Sequence, residues 1–395
     1  INTVSSGNPK ALLFDVIFDE ENTYKYDLVR ALSSASNNRS NDLSEATNQF
    51  LYSNDPGKFV SATANSKQTY HSIVFEEEDT LNFLPKMLSE PEGYEFANHI
   101  IRGVSDEAKT KLPQADRIGN TYVDLLSAST GNGSANFPQD NDGVIRRAPT
   151  AIYFDGADHV YPSLVMSAVI DILGIKKDGG FDYDFENNLL NLIDSTDTIV
   201  RTIPIDDNGR MYVNYFGKFQ TFYYLPYSYC MDPEMLPPDY WEGKVALVGA
   251  SLPGLMDLRN TPVQETFAGV EIHANVMHSI LQNDFVVVKD NVSTFYSILI
   301  LCIVIGILIS FPKKPFYALP LPILGIVGWI IYANLQFINQ LTMIEVVRPI
   351  MSIIGTFGGI FLYNYFGAEK DKRFLKNTFS TYISPELIDQ MYESK

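Results

Sequence analysis

Cysteine is nearly missing from this chain: Cys230 and Cys302 are the two in 395 residues. Cys302 lies inside a long apolar run, so Cys230 has no second thiol among the first 290 residues with which to form a disulfide. That region has to be held by its core. Histidine is scarce too, with five in the chain. His273 and His278 are five apart, and on a helix they point about 140° away from each other. Even with Glu271 beside them they suit structural roles better than a shared metal, and no metal site is assigned.

Positive charge is in deficit. The formal net charge is −18, and residues 291–395 hold eight Lys or Arg against six Asp or Glu, which leaves −20 on the residues before them. A region that acidic repels a phosphate backbone, so no nucleic-acid partner is expected. A cationic ligand or a divalent metal remains compatible, although acidity serves solubility equally well. The glycines at 249–254 have neither the P-loop spacing nor the dinucleotide fingerprint, and no serine sits in a nucleophile elbow. Nucleotide binding and hydrolysis have no support in these residues, and no catalytic residue is assigned.

Charge is also missing, over a long stretch, between residues 293 and 367. Residues 293–311 (STFYSILILCIVIGILISF) contain no Asp, Glu, Lys, Arg or His. Residues 316–334 carry Pro320 and Pro322 near one end and Trp329 and Tyr332 towards the other, while 346–366 have Glu345 and Arg348 at their start and Tyr363 and Tyr365 at their end. Each is about the twenty residues that a helix needs to cross a bilayer, with aromatics where an interface would lie. An all-α block of three transmembrane helices, embedded in a lipid bilayer, is expected over 291–368. Lys313 and Lys314 follow the first span, no Lys or Arg lies between 334 and 345, and Lys370, Lys372, Arg373 and Lys376 follow the third. By the positive-inside rule residues 1–290 are outside the cell membrane and 369–395 are cytoplasmic. Export of the outer region implies a targeting or anchoring segment upstream of Ile1.

The outer region reads as α/β. Residues 10–18 (KALLFDVIF) form an apolar run broken by Asp15, a buried strand whose Asp is either a site residue or a loop cap. A helix is predicted over 26–32, an exposed loop over 33–42, a strand over 68–75 and a solvated acidic loop over 76–79. Strands follow over 121–126 and 144–154, then a helix from Pro162 and Ser163 to Leu173 with Gly174 as its stop. Strands 198–205 and 211–215, joined by Asp206-Asp207-Asn208-Gly209, carry the strongest hairpin signal. Residues 243–281 read as strand, long loop and helix. A loop at the carboxyl end of such a strand is where ligands bind in α/β sheets.

Several blocks resemble a known family: FDVIF at 14–18, DGVIRRAP at 142–149, YPSL at 161–164, IPIDDNG at 203–209, VNYFG at 213–217, and GKVALVGA at 243–250 followed by GVEIHAN at 269–275. Together they resemble the second type of CHASE domain, the extracellular sensory module associated with cyclases and histidine kinases. The resemblance spans about residues 10–290 and implies an α/β sensor with a mixed sheet and flanking helices, followed by three membrane helices. It also implies an anchor and an opening strand upstream of the FDVIF block. Asp15, Asp257 and His273 sit in matching blocks, and they are the candidate ligand-binding residues for an extracellular ligand or protein.

Beyond the third span, Phe379, Tyr382, Ile383, Ser384 and Pro385 resemble the F-x-x-Y-[IV]-S-P segment that precedes class III nucleotide cyclase domains as a transducer. This implies a receptor-type adenylate or guanylate cyclase, with Mg2+ or Mn2+ bound by a catalytic domain that these residues do not include. The chain itself would need no cofactor. Class III sites form between two chains, so a homodimer is implied. Gly355 and Gly359 have small-xxx-small spacing, which lets two membrane helices approach, either between chains or within one. A histidine or Ser/Thr kinase output is the alternative, and a transporter or channel subunit is a more distant one.

Overall fold

A computed structural model describes residues 1–18, 56–76, 100–118, 123–155, 158–232, 234–251, 258–311 and 318–379. The helix expected at 26–32, the loop at 33–42 and most of the acidic loop at 76–79 lie outside the described residues. The chain divides into two compact units, Ile1–Val286 and Val287–Lys395. The first is mixed α/β with flanking helices and the second holds three apolar helices.

The first unit is built on a parallel sheet. Strands β1 (Ala11–Asp15), β2 (Thr69–Ile73) and β3 (Gly131–Ser134) lie side by side, and Val245–Gly249 joins on the outer side of β1. Side chains alternate across β1. Ala11 and Leu13 enter the main core with Tyr70, while Leu12 and Phe14 face a second cluster with Val4, Leu236 and Trp241. Covering both faces is what a parallel sheet requires, and it explains why 10–18 reads as a near-continuous apolar run.

Helix α1 (Pro56–Ser66) precedes β2 and α2 (Val123–Ala128) precedes β3. The strand expected at 121–126 is therefore corrected to a helix over its described part, and the next strand is the unlikely-looking Gly-Asn-Gly-Ser of β3. Gly133 explains this choice. A Cβ there would lie 2.5 Å from the Ser163 carbonyl oxygen, so the strand has no side chain where another backbone passes.

That backbone is the start of α3 (Leu164–Leu173). Ser163 caps it by accepting from the Met166 amide, and Gly174 ends it in the left-handed region at φ 66°. Pro162 is not in the first helical turn, as expected from the sequence, but ends a preceding strand. Leu164 through Ile170 are all buried, which makes α3 a central helix rather than a surface one.

Around this core run β4 (Arg147–Pro149), β5 (Ala151–Phe154), β6 (His159–Pro162), β7 (Phe181–Asp184), β8 (Leu189–Ile193), β9 (Ile199–Pro204) and β10 (Arg210–Tyr212). The hairpin expected at 198–215 is also corrected. The turn forms, with the Gly209 amide donating to the Asp206 carbonyl, but β9 pairs with β8 and β10 pairs with β4. The Asp206 carboxylate explains the crossing, because it accepts from Arg147 of β4 at 2.7 Å and from Arg210 at 2.9 Å. Consecutive strands pair antiparallel instead in β5–β6, β7–β8 and β8–β9. Val245–Gly249 is β11, and α4 (Gly269–Gln282) follows it.

The second unit begins with β12 (Val287–Val288), then α5 (Asn291–Ser310), α6 (Pro320–Gln340), β13 (Thr342–Met343) and α7 (Val347–Phe379). Asn291–Ser310, Pro320–Gln340 and Val347–Gly367 are long and apolar enough to cross a membrane, and they bury only 17%, 11% and 6% of their most apolar windows. Ile305, Ile309, Ala318 and Ile353 form the small shared core. The close approaches among these helices come at Gly306 and Gly325, whose added Cβ would lie 3.8 Å and 3.0 Å from Ile360 and Ile305.

Candidate functional site

The sheet order places β11 on one side of β1 and β2 on the other. In open α/β sheets ligands bind at the carboxyl ends of the strands, and the β1–β11 pair presents two of these ends side by side. Asp15 is the last residue of β1 and pairs with Gly249, the last of β11. A Cβ on Gly249 would lie 2.6 Å from that of Val270, so glycine is what lets α4 come down onto the strand end.

One turn further along, α4 presents His273. Its Nε2 lies 3.6 Å from Asp15 Oδ1, beyond hydrogen-bond range. The His273 side chain is 2% exposed and the Asp15 side chain 12%. Nε2 is buried and has no hydrogen-bond partner among the described residues. Phe137, from the loop after β3, closes over the imidazole with ring centroids 4.4 Å apart. A carboxyl group and an unsatisfied imidazole nitrogen thus converge without a hydrogen bond between them. Buried polar atoms of this kind are rare enough to need an explanation. Among the described residues no group of three or more His, Cys, Asp or Glu could hold a metal ion.

Two of the three candidate ligand residues are therefore brought together from opposite ends of the unit. The third, Asp257, lies outside the described residues. His278 turns away, packing on Phe216 and Phe222 at 4.5 and 5.9 Å.

Glu271 has different work from the one its histidine neighbours suggest. It is buried, and its carboxylate accepts from the amides of Gln220 at 3.0 Å and Thr221 at 2.9 Å and from the Tyr224 hydroxyl at 2.9 Å. Burial and then this carboxylate push the Tyr224 hydroxyl well above its ordinary range. Asn275, one turn on, accepts from the Phe216 amide and donates to the Glu271 carbonyl. At the far end of α4, Arg201 of β9 donates to the carbonyls of Ile280 and Leu281. The helix carrying His273 is thus fixed at both ends, and no sequence spacing announced either clamp.

A second buried histidine also escaped sequence reasoning. His71 of β2 stacks on Phe14 at 4.8 Å and meets Phe18 and Phe59 edge-on, with neither ring nitrogen bonded among the described residues. Burial pushes its pKa down to about 3, so the ring is neutral. In the DGVIRRAP block, Arg147 bridges Asp140 and Asp206 while Arg146 pairs with Asp142, tying two turns together. These ionic groups hold the scaffold, whereas Asp15 and His273 approach without a hydrogen bond between them.

The family model of the CHASE2 domain matches residues 1–310. The chain belongs to the CHASE2 family. CHASE2 is an extracellular sensor domain of signalling receptors, and the match runs through the whole first unit and α5. Neither a curated protein nor a solved structure matches the chain.

Outside the CHASE2 match, Phe379 is the last residue of α7, and Tyr382, Ile383, Ser384 and Pro385 lie outside the described residues. Nothing in the described chain approaches within 4 Å of a Cβ built on Gly355, Gly358 or Gly359.

Proposed function

We propose that the chain is the sensory and membrane-anchoring part of a receptor-type class III adenylate cyclase. The CHASE2 unit lies outside the cell membrane and takes up an extracellular ligand or protein signal at Asp15, His273 and Asp257. The three apolar helices carry that signal, as a homodimer, to a cytoplasmic cyclase domain that converts ATP to cyclic AMP with Mg2+ or Mn2+.

One observation carries the reading. Helix α7 runs without a break from Val347 through a membrane-length apolar part, past Lys370 and Arg373, to Phe379. A single rigid element therefore joins the span to the first residue of the segment that resembles a cyclase transducer. The lysines at 313–314 and 370–376 support an inside location for that end.

Support for pairing comes from α7. Ile353, Phe357 and Ile360 face the other two helices. At about 100° per residue, Gly355, Gly358 and Gly359 fall on the opposite side, open to a second copy. In a dimer, a change at the outer unit would alter the packing of two such helices, the kind of two-state element that signalling uses.

The test is an assay of the full-length protein that carries this chain, in membranes, with ATP and Mg2+ or Mn2+. Cyclic AMP production is expected. Phosphorylation of a histidine, serine or threonine without any cyclic nucleotide would replace the cyclase by a kinase output.

A further inference from the structure

The first unit ends at Val286 and the second begins at Val287. Phe285 is anchored in the main core of the sensor, in the cluster that also holds Met277 and Ile280 of α4. Val287 already belongs to β12. Its parallel ladder with β13 sets Val287 opposite Thr342 and Val288 opposite Met343. The Val287 amide donates to the Leu341 carbonyl and the Lys289 amide to the Met343 carbonyl, each at 3.0 Å. One residue therefore separates the core anchor from the ladder. An extended residue spans about 3.3–3.6 Å, so the connection has no slack.

The other side of the ladder is equally short. Met343 is four residues before the start of α7 at Val347, and that interval is itself held. Trp329 Nε1 donates to the Glu345 carbonyl at 3.1 Å. The Glu345 carboxylate pairs with Arg348, whose Nη2 donates to Asn291 Oδ1 at 2.8 Å. The first turn of α7 is thus tied to the first residue of α5. Membrane helices satisfy their backbones internally and need no such ladder to be stable in lipid. A parallel pair of two-residue strands is also a weak structural unit alone. Its position between the end of the sensor core and the start of the output helix gives it a use.

We propose that the β12–β13 ladder and Arg348 form a coupling collar. It passes a displacement of the carboxyl end of α4 directly to the first turn of α7, without routing it through the packing of α5 and α6. The inference rests on the sensory reading of the chain but not on the cyclase assignment, so a kinase found in the assay above would leave it standing.

A double-mutant cycle on the full chain in lipid nanodiscs, read by hydrogen exchange, tests it. Arg201→Ala releases the carbonyls of Ile280 and Leu281 and loosens the end of α4. Lys289→Pro removes one ladder donor. With the collar intact, Arg201→Ala should raise exchange at the amides of residues 350–352 at least several-fold while the interiors of α5 and α6 hold. In the Lys289→Pro background the same change should leave those amides unmoved. An equal response with and without the ladder, or none at α7 in either, would overturn the proposal. If Lys289→Pro lowers the thermal midpoint of the sensor, Arg348→Ala supplies the second arm of the cycle from the other end of the collar.

Discussion

The two units use the same residue types in opposite ways. In α4 of the sensor Ile272 is fully buried, while in α5 Ile303 is 53% exposed. Polar groups reverse in parallel. The sensor takes Glu271, Asn275 and His273 out of solvent and specifies most of their partners, whereas the membrane unit keeps Asp290, Glu345 and Arg348 at its helix ends. The difference follows from the solvent. Water rewards burial of apolar surface, and a bilayer accepts it outside while excluding unpaired charge. Stability should therefore depend on buried polar partners in the first unit and on helix length and composition in the second.

Glu271→Ala should strike the sensor hardest. It leaves two amides and the Tyr224 hydroxyl without a buried acceptor, at about 1–3 kcal/mol for each donor left unpaired, visible as a lower thermal midpoint of the sensor transition with the helical signal of the membrane unit unchanged. Equal loss in both units would break the comparison.

His71 adds a pH dependence of known sign. Its folded pKa is depressed to about 3, so below the ordinary value of about 6.5 the unfolded chain binds more protons. Its contribution is complete above pH ~6.5 and is lost as pH falls towards the folded value, amounting to about 3 kcal/mol by pH 4. Denaturation measured between pH 7 and 4 should show this loss in the parent chain and a flatter profile in His71→Leu.

Gly249→Ala should cost about 1–3 kcal/mol, because its Cβ meets Val270 at the strand end. Gly355→Ala meets nothing in the described chain, so the thermal midpoint of the sensor should hold and any cost should appear as weaker pairing of two copies in membranes. The contrast sharpens if cysteines placed beside Gly355 and Gly359 cross-link two copies in membranes.

The sequence was legible where one local property decides the structure. The apolar run at 10–18 contains β1 at Ala11–Asp15, the run at 244–248 overlaps β11, and Ser163 and Gly174 bracket α3 because capping chemistry is local. It was opaque where a distant neighbour decides. Gly-Asn-Gly-Ser becomes a strand because Ser163 passes over Gly133. The Asp206–Gly209 turn crosses between sheets because Arg147 holds Asp206. The site was legible in part. Asp15 and His273 each stand out in the sequence, but their approach depends on β11 adding beside β1, and the clamp on Glu271 depends on amides about fifty residues away.

The central claim, a sensor outside the membrane joined by α7 to an inside output, is most directly tested by cysteine accessibility in intact cells. With Cys230 and Cys302 replaced by serine, single cysteines at Tyr223 and Phe374, which are 81% and 69% exposed, are offered a membrane-impermeant maleimide before and after permeabilisation. The account predicts labelling of position 223 in intact cells and of position 374 only after permeabilisation. Labelling of 374 in intact cells, or of 223 only once the membrane is opened, would contradict it.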